Sequence, residues 1–335
     1  MARPTSQMQE ILDTLGQLHG LPIATLPPGV ARQQPLPDAA ARIVYGQHIT
    51  KRALAPMPAP VGGIAHTMLP SGNGTLRVYT PIGDAPQGGW PAILYLHGGG
   101  WVIADLDTYD ATARALCEGV GAVVVALHYR QAPEYPWPAA VEDTCEAYQW
   151  MLQHAGEITV DAARVAVAGE SAGGNLAAVL CLIARTQQWA APVHQLLVYP
   201  VTDVAHGIDS ASAKEHAKAA PLNRAMLRWF YDHYLQGEDP QHASVSPLHA
   251  RSHKDLPPAT IVLAEIDPLR SDGEAYAEKL SAAGVAVNLK TFEGVTHEFF
   301  GLAGLVDEAT AAMKFACDDL KRALETDKPR ALKIA

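Results

Sequence analysis

The segment that most constrains the fold of this chain is VAVAGESAGGN, residues 165–175. An apolar run typical of a buried strand ends at Ala168, and a helical pattern begins a few residues later. Between them lies Gly-Glu-Ser-Ala-Gly, with glycines two residues before and two residues after Ser171. Glycines at these places let a strand and a helix approach closely around a tight turn that lifts the serine clear of a sheet. The segment therefore predicts an α/β fold that presents Ser171 as a nucleophile.

Strand and helix patterns alternate along most of the chain, from about residue 62 onward. Near-continuous apolar runs are typical of strands in a sheet that helices cover on both faces. They predict strands at residues 63–68, 76–80, 92–96, 122–128, 164–168, 196–199, 260–264 and 286–292. Helical periodicity is found at 7–18, 39–45, 109–120, 139–154, 175–185, 222–235, 272–283 and 307–324. We therefore expect a mostly parallel eight-stranded sheet, whose first two strands form an antiparallel pair around the turn SGNG.

Two stretches interrupt this alternation. Residues 1–50 hold an amphipathic segment, a proline-rich passage and a second short helix pattern, and residues 205–243 hold a strongly apolar helix pattern without a strand. We predict that 1–50 and 205–243 form the two parts of a helical cap over one end of the sheet. Residues 51–204 and 244–335 are then the two parts of the core domain.

Composition excludes several classes of protein. The 335 residues are 48% hydrophobic and 18% charged, as in a soluble globular protein, and a net charge of −10 argues against a nucleic-acid partner. The longest aliphatic run, AVVVAL, is too short to span a bilayer, so no stable membrane association is expected. The N-terminus lacks the apolar core of a secretory signal, and Cys117, Cys145, Cys181 and Cys317 form no CxxC pair. These observations predict a cytoplasmic protein with reduced cysteines.

A second glycine-rich segment, HGGGWV at 97–102, follows the strand predicted at 92–96. It lacks the Lys-Ser/Thr of a phosphate loop and the GxGxxG of a dinucleotide site, and its one ligand side chain, His97, does not make a metal site. No metal or organic cofactor is therefore expected. The remaining interpretation is an oxyanion hole, built from the backbone N–H groups of Gly98 and Gly99 together with that of Ala172.

A nucleophilic serine needs a base and an acid that orients the base, and these follow the serine in the order acid, histidine. His297 comes directly after the last predicted strand, whereas the other histidines beyond Ser171 precede that strand or lie in the predicted cap. Asp267 follows the penultimate strand and is the favoured acid. Asp203, which follows the strand before it, is the alternative, with a capping or cap-facing role if Asp267 is the acid.

Together these motifs resemble the hormone-sensitive lipase family of α/β-hydrolases, a group that contains many bacterial carboxylesterases. The similar segments are HGGGWV, HYRQAPEYPWPAAVED, GESAGG, YPVTD, EIDPLRSDGEAYAEKL and GVTHEFF, which occur in the family's order between about residues 92 and 300. The resemblance implies an α/β-hydrolase fold with a helical cap in two parts and a triad of Ser171, Asp267 and His297. It also implies small esters with short to medium acyl chains as substrates. Many members dimerise, and a last strand at the sheet edge would offer a seam for a homodimer.

Three residues depart from the family pattern. Glu170 stands where aspartate is usual, Glu298 follows the histidine where glycine is common, and Gln131 replaces a leucine. We expect Glu170 to point toward the HGGGW side of the site. These changes are expected to leave the chemistry intact and to affect substrate preference.

The resulting hypothesis is a serine carboxylesterase that forms an acyl-enzyme on Ser171. Its predicted apolar substrate pocket, with ordinary core packing as the alternative, is lined by Trp101, Tyr199, Leu222, Met226 and Phe230. The same machinery serves amides, formamides, lactones and carbamates, so these substrates stay open. A binding protein with a hydrolase fold is disfavoured because both Ser171 and His297 are present, and a surface-acting lipase is disfavoured because the cap helix carries charged residues.

Overall fold

A computed structural model of the protein describes residues 2–52 and 58–325. The predicted segments 1–50, 51–204 and 244–335 include residues 1, 53–57 and 326–335, which lie outside the described residues. Within the described part, no helix is both long and apolar enough to cross a membrane.

In the described residues, eight strands form one sheet in the order β1-β2-β4-β3-β5-β6-β7-β8. The strands are β1 (Gly63–Met68), β2 (Thr75–Thr80), β3 (Trp90–Leu96), β4 (Val123–His128), β5 (Val160–Glu170), β6 (Gln195–Val198), β7 (Ala259–Ile266) and β8 (Val287–Thr296). The pairs β1–β2 and β2–β4 are antiparallel, and all other pairs are parallel. The predicted sheet is confirmed, including the antiparallel pair and the place of the last strand at an edge.

β5 and β8 extend furthest beyond their predicted apolar cores. β5 begins at Val160 and pairs there with Trp90, although residues 162 and 163 are exposed. β8 continues past Phe292 to Thr296, which pairs with Ile266. Backbone pairing thus extends beyond the buried run, which hydrophobicity alone does not report.

Ten α-helices are described: α1 (Ser6–Gln17), α2 (Pro28–Ala31), α3 (Pro37–Arg52), α4 (Asp110–Val120), α5 (Ala139–Gln153), α6 (Ala172–Thr186), α7 (Ala211–Glu215), α8 (Arg224–Leu235), α9 (Arg270–Ala282) and α10 (Asp307–Ala323). Residues of α5, α6, α8 and α9 are buried in one core cluster, and those of α1, α3, α4 and α10 in the cluster on the other side. Helices therefore cover both faces of the sheet, as predicted. The short helices α2 and α7 were not predicted, because four or five residues hold too little helical periodicity.

Local chemistry explains how individual helices begin and pack. The side chain of Asn223 accepts a hydrogen bond from the amide of Met226 at 3.0 Å and so caps the start of α8. α4 is followed by Gly121, whose φ of 71° suits glycine at a helix terminus. In α10 the apolar residues that recur every three or four positions are buried: Ala309, Ala312, Met313, Ala316 and Leu320.

The two stretches that interrupt the alternation meet in space. The indole N–H of Trp229, in α8, donates to the carbonyl of Leu26 at 3.2 Å. The start of the N-terminal segment also reaches the sheet: the amide of Thr5 donates to the carbonyl of Gly294 in β8 at 2.8 Å, and Met8 of α1 is buried in a core cluster. The N-terminal segment is thus partly core and partly in contact with the second stretch.

The four cysteines form no disulfide in the structure. Cys117, Cys181 and Cys317 are buried, and Cys145 is half-buried. All four lie in helices, as their sequence context predicted.

Candidate active site

The turn between β5 and α6 holds Ser171 in a backbone conformation that few residues adopt. Its φ is 55° and its ψ is −116°. Its amide donates to the carbonyl of Val198 at 2.9 Å, so the strained turn is tied to the neighbouring strand β6. A Cβ atom at Gly169 would overlap the carbonyl of Gly173, and one at Gly173 would overlap that of Leu96. These are the close approaches that the sequence motif predicted.

Ser171, His297 and Asp267 lie in one hydrogen-bonded row. Nδ1 of His297 is 2.7 Å from Oδ2 of Asp267, and Nε2 is 3.0 Å from Oγ of Ser171. The other oxygen of Asp267 accepts from the amide of Leu269 at 2.8 Å, which fixes the direction of the carboxylate. With Nδ1–H donated to Asp267, Nε2 carries the lone pair that accepts the serine hydroxyl proton. All three residues are buried: Asp267 is 0%, His297 3% and Ser171 5% exposed.

The charges around the imidazole of His297 favour its protonated form. Burial lowers the pKa of this histidine, but the carboxylates of Asp267, Glu298 and Glu170 act in the opposite direction. Their combined effect outweighs burial and raises the pKa above its ordinary value. The imidazole is therefore a stronger base than an exposed histidine.

Asp203, the alternative acid, lies with a different histidine. Its Oδ1 is 2.9 Å from Nε2 of His249 and accepts from the amide of His206 at 2.9 Å. The structure thus brings Asp267, and not Asp203, to His297. Among the described residues, no group of three or more His, Cys, Asp or Glu side chains could hold a metal ion. The contact between Asp203 and His249 is therefore not part of such a group.

Three backbone amides near Ser171 are left unpaired. Among the described residues, the N–H groups of Gly98, Gly99 and Ala172 donate to no protein oxygen. The φ of Gly99 is 100°, and a Cβ at Gly98 would overlap the hydroxyl of Tyr109, so both positions require glycine. Unpaired amides in a tight loop beside a serine are suited to bind a developing oxyanion.

Hydrogen bonds on the opposite side of the loop hold these amides in place. The hydroxyl of Tyr129 donates to the carbonyl of His97 at 3.0 Å, and Nδ1 of His97 lies 2.7 Å from the carbonyl of Gly98. Because a trans peptide is planar, fixing each carbonyl fixes the N–H of the next residue on the opposite side. His97 stays neutral in this role, since burial and neighbouring His128 lower its pKa to about 3.

Sequence reasoning did not assign this role to His97 or Tyr129. Both residues stand in the quoted segments HGGGWV and HYRQAPEYPWPAAVED. Each of the two residues directly follows a buried strand, which marks it as close to the site. Nothing in their spacing showed that the two side chains meet.

Glu170 is enclosed beneath the loop. Its two carboxylate oxygens accept hydrogen bonds from the hydroxyls of Tyr95 and Tyr199. Tyr95 is two residues before His97, so the carboxylate of Glu170 lies on the side of HGGGW, as expected. Burial and the charge of Glu298 raise the pKa of Glu170 to about 7.

A cavity of about 520 Å³ opens beside Ser171 and His297. Of the five predicted pocket residues, four line it: Trp101, Leu222, Met226 and Phe230. The prediction for Tyr199 was wrong, because its hydroxyl is engaged by Glu170 and its ring packs on that of His297, with centroids 4.4 Å apart. Gly99 also lines the cavity, whereas Gly98 and Ala172 do not.

The cavity includes residues that sequence reasoning did not select. They come from the N-terminal segment, from α8 and from the residue after His297: Leu12, Tyr45, Tyr231 and Glu298. A Cβ at Gly100 would overlap the ring of Phe230, so this glycine lets α8 pack on the loop. The cavity therefore lies between the core and both interrupting stretches.

Comparison with known proteins identifies a family, relatives and solved structures that are similar to this chain. Residues 93–301 match the family described as alpha/beta hydrolase fold. The chain is 42% identical over 247 residues to esterase LipI of Mycobacterium tuberculosis, covering 72% of this chain and 76% of the relative. It is 36% identical over 251 residues to ethyl acetate hydrolase of Pseudomonas putida, covering 74% and 78%. The crystal structure of a thermostable esterase from Pseudomonas putida superposes with a TM-score of 0.83 at 34% identity, covering 96% of this chain and 98% of the other.

Proposed function

The chain belongs to the hormone-sensitive lipase-like family of α/β-hydrolases, and we propose that it is a serine carboxylesterase acting on small esters with short to medium acyl chains. The observation that carries this proposal is the row Asp267–His297–Ser171, which opens on an apolar cavity. Relatives named as an esterase and an ethyl acetate hydrolase support the choice of an ester as substrate.

Acylation begins with the serine hydroxyl. Nε2 of His297 takes the proton as Oγ of Ser171 attacks the ester carbonyl carbon, and Asp267 stabilises the imidazolium that forms. The contact of 3.0 Å between Oγ and Nε2 is within reach for this transfer. The protonated histidine then delivers the proton to the leaving alcohol, which leaves an acyl-enzyme.

The oxyanion of the tetrahedral intermediate is assigned to the amides of Gly98, Gly99 and Ala172. Within the described part of the chain their N–H groups have no protein acceptor to give up when the charge develops, so binding the oxyanion requires no rearrangement. Each such donor typically contributes about 3–4 kcal/mol of transition-state stabilisation. The N-terminus of α6, which begins at Ala172, adds a favourable dipole.

Deacylation repeats these roles with water. His297 removes a proton from a water molecule that attacks the acyl carbonyl, and the proton passes to Oγ of Ser171 as the carboxylic acid leaves. The two steps together use only side chains and amides of the chain, the ester and one water molecule.

The two interrupting stretches act as the helical cap in this proposal. Leu222, Met226 and Phe230 from one stretch and Leu12 from the other line the cavity and give it an apolar wall. A volume of about 520 Å³ accommodates a small ester with a short or medium acyl chain.

The test is hydrolysis of p-nitrophenyl esters from acetate to palmitate by wild type, Ser171→Ala and Ser281→Ala. Ser281 is exposed in α9 and serves as a matched control for the loss of a hydroxyl. We expect turnover that peaks at short chains, is lost in Ser171→Ala and is kept in Ser281→Ala. No turnover by folded wild type would overturn the proposal and favour an amide or lactone substrate, or a binding role.

The proposal also covers the assembly and the location of the protein. Strand β8 lies at a sheet edge and exposes Leu289, which is 41% accessible, so we assign a homodimer to this edge. Light scattering of wild type and Leu289→Lys tests the assignment, because a monomeric wild type contradicts it. Composition supports a cytoplasmic location.

A further inference from the structure

The carboxylate of Glu298 stands next to the nitrogen that exchanges protons with the substrate. Its Oε1 is 3.9 Å from Nε2 of His297. The hydroxyl of Tyr109 contacts both carboxylate oxygens, at 2.7 and 2.8 Å. The side chain is 21% exposed and lines the cavity. A charged group is thus positioned where substrate binds, without being enclosed.

The other carboxylates of the cavity are already matched. The aspartates pair with arginines: Asp38 with Arg42 at 2.6 Å, Asp107 with Arg77 at 2.7 Å and Asp110 with Arg114 at 2.6 Å. Glu170 is enclosed by two tyrosine hydroxyls and only 1% exposed. Among the described cavity residues, Glu298 is therefore the partly exposed carboxylate that has no arginine or lysine partner.

The backbone at Glu298 does not favour a side chain. Its φ of 69° lies in the left-handed region, where a Cβ is disfavoured and glycine is at ease. A glutamate is nevertheless found there. Strain of this kind points to a use for the side chain in the site.

The position of Glu298 next to His297 brings its carboxylate close to the alcohol part of a bound ester. When the tetrahedral intermediate collapses, the leaving oxygen takes its proton from Nε2 of His297 and lies within hydrogen-bond reach of it. A carboxylate 3.9 Å from Nε2 is then a near neighbour of the alcohol moiety. The acyl oxygen is held elsewhere, by the loop amides.

We propose that Glu298 makes the alcohol side of the cavity selective for esters whose alcohol carries a cation or a hydrogen-bond donor near the ester oxygen. The charge acts in a poorly solvated site, where attraction to a cation and repulsion of an anion are stronger than in water. The inference rests on the proposed function, because it assigns the alcohol side from the ester mechanism.

The experiment compares two acetate esters of the same shape: 2-(trimethylammonio)ethyl acetate, which is cationic, and 3,3-dimethylbutyl acetate, which is neutral. The readout is the ratio of their kcat/KM values at pH 8 and low salt, in wild type, Glu298→Gln and Tyr109→Phe. Glu298→Gln removes the charge and keeps an acceptor for Tyr109, whereas Tyr109→Phe removes the hydrogen bond and keeps the charge. A ratio within one variant is unaffected by the fraction of folded enzyme.

We expect Glu298→Gln to lower the ratio of cationic to neutral ester about tenfold, the size of one partly buried charge contact. Tyr109→Phe should keep most of the wild-type ratio. If the two esters turn over too slowly, their inhibition constants against p-nitrophenyl acetate hydrolysis give the ratio of their affinities, which should fall in the same direction.

An unchanged ratio in Glu298→Gln would overturn the inference, and so would an equal fall in Tyr109→Phe, because the effect would then follow the hydrogen bond instead of the charge. These results leave the proposed function intact as long as wild type hydrolyses p-nitrophenyl acetate. Failure of wild type on that ester overturns the proposed function itself.

Discussion

The hydroxyl of Tyr129 donates a hydrogen bond to the carbonyl of His97 at 3.0 Å, and the two rings lie nearly parallel with centroids 4.4 Å apart. This pair connects the start of the glycine loop to the residue that follows β4. Because it fixes the peptide between His97 and Gly98, it sets the direction of the Gly98 amide. In the proposed reaction, Tyr129 thus touches no reacting atom but positions the amide of Gly98, which does.

The first prediction concerns this positioning. Tyr129→Phe removes the hydrogen bond on the His97 carbonyl and keeps the stacked ring. We expect kcat to fall about five- to tenfold with little change in KM, since one hydrogen bond contributes roughly 1 kcal/mol and the loop amides act mainly in the transition state. Steady-state kinetics on p-nitrophenyl acetate measure the split. The control is Tyr135→Phe, at a tyrosine that is 53% exposed; equal losses in both variants would contradict the prediction.

The second prediction separates the two candidate acids. Asp267→Asn keeps the shape but can no longer orient and stabilise the imidazolium, so kcat should fall about 10³- to 10⁴-fold. Asp203→Asn should have a far smaller effect, because Asp203 contacts His249 and the amide of His206. Rates on p-nitrophenyl acetate decide, and a larger loss in Asp203→Asn would reverse the assignment.

The third prediction is the pH dependence of the reaction. Burial lowers the pKa of His297, but Asp267, Glu298 and Glu170 raise it by more, so the folded value lies above the ordinary 6.5. The base works only when unprotonated, so kcat/KM should fall as pH drops, with a midpoint above 6.5. Glu298→Gln should move this midpoint to lower pH. A wild-type midpoint below the ordinary value would show that burial dominates.

The fourth prediction tests the close approach at the serine turn. A methyl group at position 173 would overlap the carbonyl of Leu96, so Gly173→Ala should destabilise the fold by about 1–3 kcal/mol. Gly46→Ala is the matched control in α3, where a Cβ meets no atom within 4 Å, and it should stabilise by up to about 1 kcal/mol. Urea unfolding measures both variants. An unchanged stability in Gly173→Ala would contradict the tight packing of α6 on β3.

Most of the fold followed from apolar runs and their spacing, but the ends of some elements did not. The strand predicted at 164–168 is the buried part of β5, which starts at Val160. Its first residues are held by hydrogen bonds to a neighbouring strand, and such pairing leaves no mark on hydrophobicity. The sequence also did not reveal that the N-terminal segment, through Met8, is buried in a core cluster, because the surface on which an amphipathic helix packs is set by contacts with distant parts of the chain.

The residues of the candidate site were predictable where a short sequence motif marks them. They were less predictable where their role depends on contacts between residues that are distant in the chain. Ser171 and His297 stand at strand ends in recognisable motifs, and their mutual geometry agrees with that reading. Tyr199, an aromatic residue at the end of the strand predicted at 196–199, is among the predicted pocket residues, yet its hydroxyl contacts Glu170 instead. Whether an aromatic ring at a strand end faces a cavity or a carboxylate depends on neighbours from other elements.

By itself, the sequence determined the alternating α/β architecture, the serine turn and the glycine loop, because glycine spacing and apolar periodicity act over a few residues. Only the tertiary structure decided that Asp267 and not Asp203 meets His297, that Tyr129 holds the glycine loop, and that Glu298 lies 3.9 Å from Nε2 of His297. These relationships join residues far apart in the chain, and the packing of separate elements on the sheet sets their distances.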